Sequence, residues 1–161
     1  MKVALEHLFI SPGHDFYGRH EKGRMNHGIT DCDRIECVAG SGIRGDRFFD
    51  YKEDFKGQIT FFSAGVFREV KERFDLPGLE AGAFRRNVII DGVDLNEFIG
   101  CRFRIGEAEF EGTEEAKPCY WMDEACAPGV EEFLRGNGGL RCRIRQSGML
   151  KKGAEELVRV D

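Results

Sequence analysis

Alternating hydrophobic and polar positions predict a chain of short strands with few helices. Residues 2 to 10 are apolar on both faces of an extended segment, which indicates a central strand. The same alternation, with β-branched and aromatic residues, predicts further strands at residues 34–38, 58–62, 87–90, 101–105, 107–113, 140–146 and 155–160. The residues between 146 and 155 are expected to form a glycine-containing turn.

Helical patterns are fewer and shorter. Ser63 is a candidate N-cap for a helix from Ala64 to about Phe74, and Asp94 caps a short turn that ends near Phe98. A third short helix is expected from Pro128 to Leu134. This order of elements predicts a mainly β fold, a closed or nearly closed mixed β-barrel of about seven strands with two or three short peripheral helices, rather than a doubly wound sheet.

One stretch lacks any periodicity. Residues 11–30 are rich in Gly, His and charged residues and are expected to form a long loop. Three of the four histidines fall there, and none of the four shows the short paired spacing of zinc sites. With 161 residues and no linker-like segment, the chain is expected to form a single domain over residues 1–161.

Charge and composition narrow the function classes. A net charge of −5 argues against a nucleic-acid-binding protein, which needs a basic surface. No apolar stretch approaches the roughly 20 residues that span a bilayer, so no membrane association is expected. Six cysteines without a signal-peptide-like leader favour a reducing, cytoplasmic location. The pattern does not specify an oligomeric state.

The segment Lys117-Pro118-Cys119 is the first candidate for chemistry. A cysteine in a loop after proline is a natural soft metal ligand or nucleophile, whereas a thiol packed in an apolar core is inert. Cys126 follows seven residues later and is a candidate partner for a redox disulfide, or simply a spare thiol.

The glycine-rich segment from Gly40 to Arg47 is a candidate anion contact. It lacks the lysine of a nucleotide-binding loop, but Arg44 or Arg47 can bind an anion while Asp46 holds one of them. An Asp-Arg pair that only stabilises the turn is equally consistent with the sequence.

Other basic residues lie at strand ends. Strand alternation places Arg85 and Asn87 on one side as candidate ligand contacts and points Arg86 away. The alternating arginines 141, 143 and 145 can line an anion pocket, although a solvated strand face is the commoner arrangement.

Five motifs in order resemble the MOSC domain, named for the C-terminal domain of molybdenum cofactor sulfurases. They are Gly42-Ile43-Arg44-Gly45-Asp46-Arg47, Phe84-Arg85-Arg86-Asn87, Gly100-Cys101-Arg102-Phe103-Arg104-Ile105-Gly106, Pro118-Cys119 and Gly138-Gly139-Leu140-Arg141-Cys142.

The resemblance implies a β-barrel that binds molybdenum cofactor or handles sulfur for metal-sulfur centres. By this resemblance Cys119 is the expected metal ligand or sulfur acceptor, and Arg85 and Asn87 the expected contacts to the pterin. Arg44, Asp46, Arg47 and Lys117 complete the candidate cofactor contacts. The chain has no room for the pyridoxal-phosphate domain of the sulfurases, so a cysteine desulfurase or another sulfur donor is an expected partner.

Three hypotheses follow. The first is a protein that binds molybdenum cofactor or carries sulfur on Cys119, in cofactor or metal-sulfur cluster maturation or in the reduction of N-hydroxylated compounds with electrons from a partner. The second is a non-catalytic β-barrel that binds a small anion or a partner protein. The third is a thiol redox protein that uses Cys119 and Cys126.

Overall fold

The computed structural model describes residues 1–12 and 28–160, and these form a closed barrel with helices on one side. Most of the predicted long loop, with His14, His20 and His27, lies outside the described residues. The strands are β1 (Lys2–Ile10), β2 (Thr30–Asp31), β3 (Arg34–Val38), β4 (Gly42–Ile43), β5 (Ile59–Ser63), β6 (Val88–Asp91), β7 (Arg102–Ile105), β8 (Ala108–Glu115), β9 (Leu140–Gln146), β10 (Gly148–Lys151) and β11 (Gly153–Val160).

Seven strands close the barrel. Their order is β11, β7, β8, β9, β5, β6 and β1, and β1 pairs again with β11. Only β5 and β6 are parallel, whereas the other pairs of the barrel are antiparallel. The predicted mainly β fold with a closed mixed barrel is therefore confirmed. The extra strand β2 pairs with one end of β1, and β10, β3 and β4 form a separate three-stranded sheet.

The helices are α1 (Ala64–Arg73), α2 (Trp121–Ala125) and α3 (Val130–Leu134), with short 3-10 turns at Ala81–Phe84 and Leu95–Phe98. The predicted caps are present, because Ser63 accepts a hydrogen bond from the N–H of Val66 and Asp94 accepts one from Asn96. Several elements were not predicted, among them the two-residue strands β2 and β4 and the 3-10 turn at Ala81–Phe84. Helix α2 occupies part of the expected Cys119 loop, and β10 occupies the expected turn after β9. In the described part of the chain no helix has the length and apolar character needed to cross a membrane.

Two apolar cores share the barrel wall. Side chains such as Phe61, Phe103 and Phe110 fill the barrel interior. A second core, which includes Phe62 and Trp121, lies between the outer face of β5 and β6 and the three helices. Because adjacent side chains of a strand point to opposite faces, β5 contributes Phe61 to one core and Phe62 to the other. Cys119 packs at the edge of the second core.

Candidate functional site

A cavity of about 630 Å³ opens at one end of the barrel, where the segment after β4, the entry to β6, the end of β8 and the start of β9 meet. Cys119 lines it together with six cationic side chains, which are Arg47, Lys52, Arg85, Arg86, Lys117 and Arg141. The volume falls within the range typical of small-molecule sites. The cavity therefore combines one thiol with a strongly positive wall.

The two carboxylates in the lining have partners already. Glu115 accepts hydrogen bonds from the backbone N–H groups of Gly136 and Gly138, at 2.9 and 3.0 Å. Glu114 pairs with Arg141 at 3.1 Å and with Lys56 at 3.4 Å. Even together with Asp46, which pairs with Arg47 from outside the lining, these carboxylates cannot neutralise six cations, so the cavity retains positive charge that favours an anionic ligand.

Cys119 is held at the start of α2. The Trp121 indole donates to the carbonyl oxygen of Ala83 at 3.0 Å, which fastens the helix to the turn before β6. The carboxylate of Asp123 accepts from the N–H of Glu131 at 2.8 Å and links α2 to α3. Gly138 lies so close to Ala116 and Pro118 that a Cβ there would clash with both. These contacts fix the loop that carries the thiol.

Burial raises the pKa of the Cys119 thiol above its usual value. The backbone N–H of Trp121, which bonds to the sulfur, and the positive charge of Arg86 oppose this increase. At neutral pH the free site therefore holds a thiol rather than a thiolate. A soft metal ion that replaces the proton would bind the thiolate and release the proton to solvent.

Arg86 is the cation whose charge acts most directly on Cys119. Its Nε and Nη2 atoms donate to the carbonyl oxygens of Gly138 and Ala116, both at 2.9 Å, and Nη1 donates to Phe84 at 3.4 Å. Burial lowers the pKa of Arg86 to about 10, so the group stays protonated at neutral pH. Carbonyl oxygens orient the guanidinium but do not cancel its charge.

Arg85 and Arg47 form the part of the cavity wall that lies beside Ser11, the residue that follows β1. The Arg85 side chain is buried and donates to Ser11 Oγ at 2.8 Å, and its carbonyl oxygen accepts from Arg47 at 2.9 Å. Asp46 is buried beside Arg47, with 3.0 Å between its Oδ1 atom and Nη1 of the arginine. The same carboxylate oxygen accepts from the N–H of Ser11 at 2.9 Å. The Asp46 carboxylate thus supports the wall, while Arg47 lines the cavity.

The adjoining wall is aromatic and cationic, and the Arg47 guanidinium lies 4.8 Å from the centroid of the Phe48 ring. Phe48, Tyr51 and Phe55 have ring centroids 4.9 to 5.3 Å apart, and Tyr51 is half-exposed. The Arg141 guanidinium lies 5.1 Å from the centroid of the Phe55 ring. Arg141 passes across Gly57, where a Cβ would lie 2.6 Å from its Nε atom. The absence of a side chain at Gly57 therefore makes room for this arginine.

The structure places three of the predicted site residues outside the cavity lining, and one of them, Asp46, is buried behind Arg47. Asn87 is 1% exposed and bonds to Thr60 of β5 and to the Phe9 carbonyl of β1, so it joins three strands. Arg44 is exposed and forms a bidentate pair with Glu36, at 2.9 and 3.4 Å. Of the other predicted residues, Cys119, Arg85, Arg47 and Lys117 meet at the cavity.

The expected direction of Arg86 was wrong. Arg85 has φ 55°, a left-handed conformation that ends the preceding 3-10 turn. Strand alternation therefore does not extend back through this residue, and Arg86 enters the cavity lining. Among the three alternating arginines of β9, Arg141 also lines the cavity, whereas Arg143 and Arg145 pair with Glu111.

Cys126 lies two helical turns from Cys119. Backbone hydrogen bonds from Met122 to Cys119 and from Cys126 to Met122 span the interval. Tyr120 has helical dihedral angles and α2 adds five residues, which together rise about 9 Å, whereas a disulfide needs Cα atoms within about 7 Å. Both thiols are free. A disulfide between them would require α2 to unwind.

The sequence profile of the MOSC domain matches residues 43–155, which include the whole Cys119 segment. The chain belongs to the MOSC domain family. No protein of curated function matches the chain. Membership associates the chain with molybdenum cofactor sulfurase-like domains.

Solved structures of other MOSC-like proteins share this fold. YuaD from Bacillus subtilis superposes with a TM-score of 0.78 at 20% identity, over 100% of this chain and 97% of that one. YiiM from Geobacillus stearothermophilus gives 0.70 at 18% identity, over 99% of this chain and 75% of that one. YiiM from Escherichia coli gives 0.67 at 18% identity, over 100% and 70%. At these identities the likeness concerns the fold.

In this MOSC domain the cavity adds Arg86 and the aromatic wall to the residues expected from the sequence, and of the three alternating arginines it includes Arg141. Two signals could have indicated them. Gly57 is a glycine just before a strand, which often marks a close approach of another group. The two adjacent arginines follow the Phe84 turn, where strand alternation need not hold. Within the described residues, no group of three His, Cys, Asp or Glu side chains is arranged to hold a metal ion.

Proposed function

We propose that this MOSC domain binds a molybdenum cofactor, or carries sulfur, at the cavity that contains Cys119. The observation that carries the proposal is the shared cavity of one partly buried thiol and six cationic side chains. A purely structural cysteine would need no such charge. A ligand that combines a soft metal or sulfur atom with anionic groups matches both features.

The residues fit the cofactor. Arginine and lysine side chains suit its phosphate, and Arg85, Arg86 and Lys117 lie in the cavity lining together with Cys119. Because the pterin brings its own dithiolene sulfurs, a single protein thiolate from Cys119 would complete the sulfur ligands of the metal. When bound, the cofactor supplies two-electron redox chemistry. The protein's part is to orient the phosphate, to offer Cys119, and to limit access of water through the aromatic wall.

Sulfur carrying uses the same thiol. A persulfide on Cys119 would lie beside Arg86, whose positive charge stabilises an anionic sulfur. The sulfur would come from a cysteine desulfurase or another donor and pass to a cofactor or metal-sulfur centre. If the bound cofactor instead reduces N-hydroxylated compounds, a separate electron-transfer partner must supply two electrons for each N–O bond that is cleaved.

The alternatives receive less support from the geometry. A redox cycle between Cys119 and Cys126 would need α2 to unwind, at the loss of the contacts of Trp121. A non-catalytic module that binds a small anion or a partner protein is consistent with the cations but leaves Cys119 without a role. A test of the proposal must therefore exclude this non-catalytic binding module.

Reconstitution with the isolated cofactor tests the proposal. The purified protein is loaded and passed through gel filtration, after which bound molybdenum is measured by elemental analysis and pterin by fluorescence of its oxidised form. Wild type and Cys126→Ser are expected to retain both, whereas Cys119→Ser loses molybdenum. Equal retention by Cys119→Ser, or no retention by wild type together with no persulfide after treatment with a desulfurase and cysteine, would contradict the proposal.

A further inference from the structure

We infer that the Cys119 cavity accepts sulfur directly from a small anionic donor of the thiosulfate class, an anion with a sulfane sulfur bonded to an oxidised sulfur. This inference rests on the proposed sulfur-carrying role and names its donor. The recognition elements are the guanidinium groups of Arg86 and Arg141, which share the cavity with the thiol.

Arg86 provides the anchor. A guanidinium has five N–H donors, and the described hydrogen bonds of Arg86 go to the carbonyl oxygens of Gly138, Ala116 and Phe84. These bonds hold the plane of the group fixed against the barrel. Donors remain for a ligand. The charge of Glu115 favours the protonated form of Arg86, but none of the described hydrogen bonds of the guanidinium goes to a carboxylate. A tetrahedral oxyanion satisfies both requirements.

Two further arginines reinforce this site. Arg47 and Arg141 are close enough to Arg86 that their charges disfavour its protonated form. An anion that binds between these cations relieves their repulsion. Gly57 is the feature that allows Arg141 to reach the cavity, because any side chain there would displace its guanidinium. A doubly charged donor therefore fits better than a neutral one.

The chemical step balances without an added oxidant or reductant. The Cys119 thiol gives its proton to solvent, and the thiolate attacks the sulfane sulfur of the donor. A new S–S bond forms on Cys119 as the S–S bond of the donor breaks. Sulfite leaves with the bonding electron pair. The protein retains a persulfide, and total charge is conserved because a thiolate and a dianion become a persulfide anion and a dianion.

Thiosulfate itself is the probe. Reduced, desalted protein is incubated with thiosulfate, and intact-mass and peptide mass spectrometry locate a gain of one sulfur atom. Cyanide then removes this sulfur as thiocyanate, which is quantified. We expect the sulfur on Cys119, and none on Cys119→Ser. Removal of a charged donor in Arg86→Gln is expected to raise the half-saturating thiosulfate concentration at least about tenfold.

Two more variants make the test decisive. Lys117→Gln replaces an exposed lysine of the lining and stays informative if Arg86→Gln does not fold, with an expected rise of about threefold because an exposed charge contributes less. Arg135→Gln removes an exposed arginine that pairs only with exposed Glu132 among its described contacts, and is expected to behave as wild type.

The outcomes separate this inference from the proposed function. If thiosulfate leaves Cys119 unmodified while a desulfurase with cysteine loads it, the donor class is wrong and the sulfur-carrying role stands. If the half-saturating concentration in both Arg86→Gln and Lys117→Gln is the same as in wild type, the cavity cations do not recognise the donor and the inference fails. If neither donor loads Cys119 and no molybdenum cofactor is retained, the proposed function fails as well.

Discussion

Substitution of Asn87 distinguishes a structural role from a cofactor contact. The Asn87 Oδ1 atom accepts from the backbone N–H and the hydroxyl of Thr60, at 3.0 and 3.1 Å. Its Nδ2 atom donates to the carbonyl oxygen of Phe9 at 3.1 Å. The side chain is 1% exposed, so water cannot replace these partners. In Asn87→Ala the backbone N–H of Thr60 and the carbonyl oxygen of Phe9 lose their hydrogen bonds to this side chain, and water does not replace it.

The size of the effect follows from these two buried groups. A buried donor or acceptor left without a partner costs about 1 to 3 kcal/mol, so the free energy of unfolding should fall by about 4 kcal/mol. The Thr60 hydroxyl also loses its acceptor, but it adds little to the loss because it still accepts from the backbone N–H of residue 87 at 3.0 Å. For a chain of this length the melting temperature should fall by about 10 °C.

Urea unfolding followed by circular dichroism measures this loss. Asn96→Ala is the matched control, because Asn96 is exposed although its side chain also bonds to a backbone carbonyl, that of Gly136 at 2.8 Å. We expect a loss below about 1 kcal/mol for the control. If Asn87→Ala unfolds with nearly the wild-type free energy but binds the pterin poorly, Asn87 is a ligand contact and the structural account of it is refuted.

The remaining predictions concern Gly57 and Cys37. In Gly57→Ala the added Cβ displaces the Arg141 guanidinium, so the affinity for inorganic phosphate should fall about threefold, as expected for weakening one charged contact. The affinity is followed as ligand-induced thermal stabilisation, and Gly78→Ala, where the Cβ meets no atom within 4 Å, should match wild type. Equal affinities of Gly57→Ala and wild type would refute the role of Gly57. Burial raises the pKa of the Cys37 thiol to about 12, so above pH 9 the unfolded chain loses a proton that the folded chain keeps. Between about pH 9 and pH 12 this thiol should therefore lower the unfolding free energy by about 1.4 kcal/mol per pH unit. Urea titrations at successive pH values should therefore give a shallower alkaline decline for Cys37→Ala, and an unchanged slope would contradict the assignment.

The sequence was sufficient for elements defined by local alternation. Strand β1 and helix α1 with its Ser63 cap were predicted because each depends on neighbouring residues alone. Strand β10 was not predicted, because it is short and its partner β3 is more than a hundred residues away in the chain. The barrel itself was predicted from strand count, whereas the pairing of β1 with β11 that closes it has no local signature.

The candidate site was partly predictable for a similar reason. Cys119 and Lys117 are recognisable from a short motif, and Arg85 from its position before a strand. Arg86 was assigned to the wrong side because one residue with positive φ shifts the alternation, a detail that composition does not reveal. The amide of Asn87 suits a heterocycle or backbone groups equally, and only the fold shows which backbone groups lie beside it.

Protection of individual cysteines tests the central claim most directly. The folded protein is treated with iodoacetamide before and after loading with molybdenum cofactor, and alkylation of each cysteine is quantified by peptide mass spectrometry. Cys119 is predicted to react in the free protein and to be protected in the loaded protein, while the reactivity of Cys101, a partly buried thiol that does not line the cavity, does not change. Equal alkylation of Cys119 in both samples, with the cofactor bound, would show that the thiol in this cavity is not the ligand-binding centre.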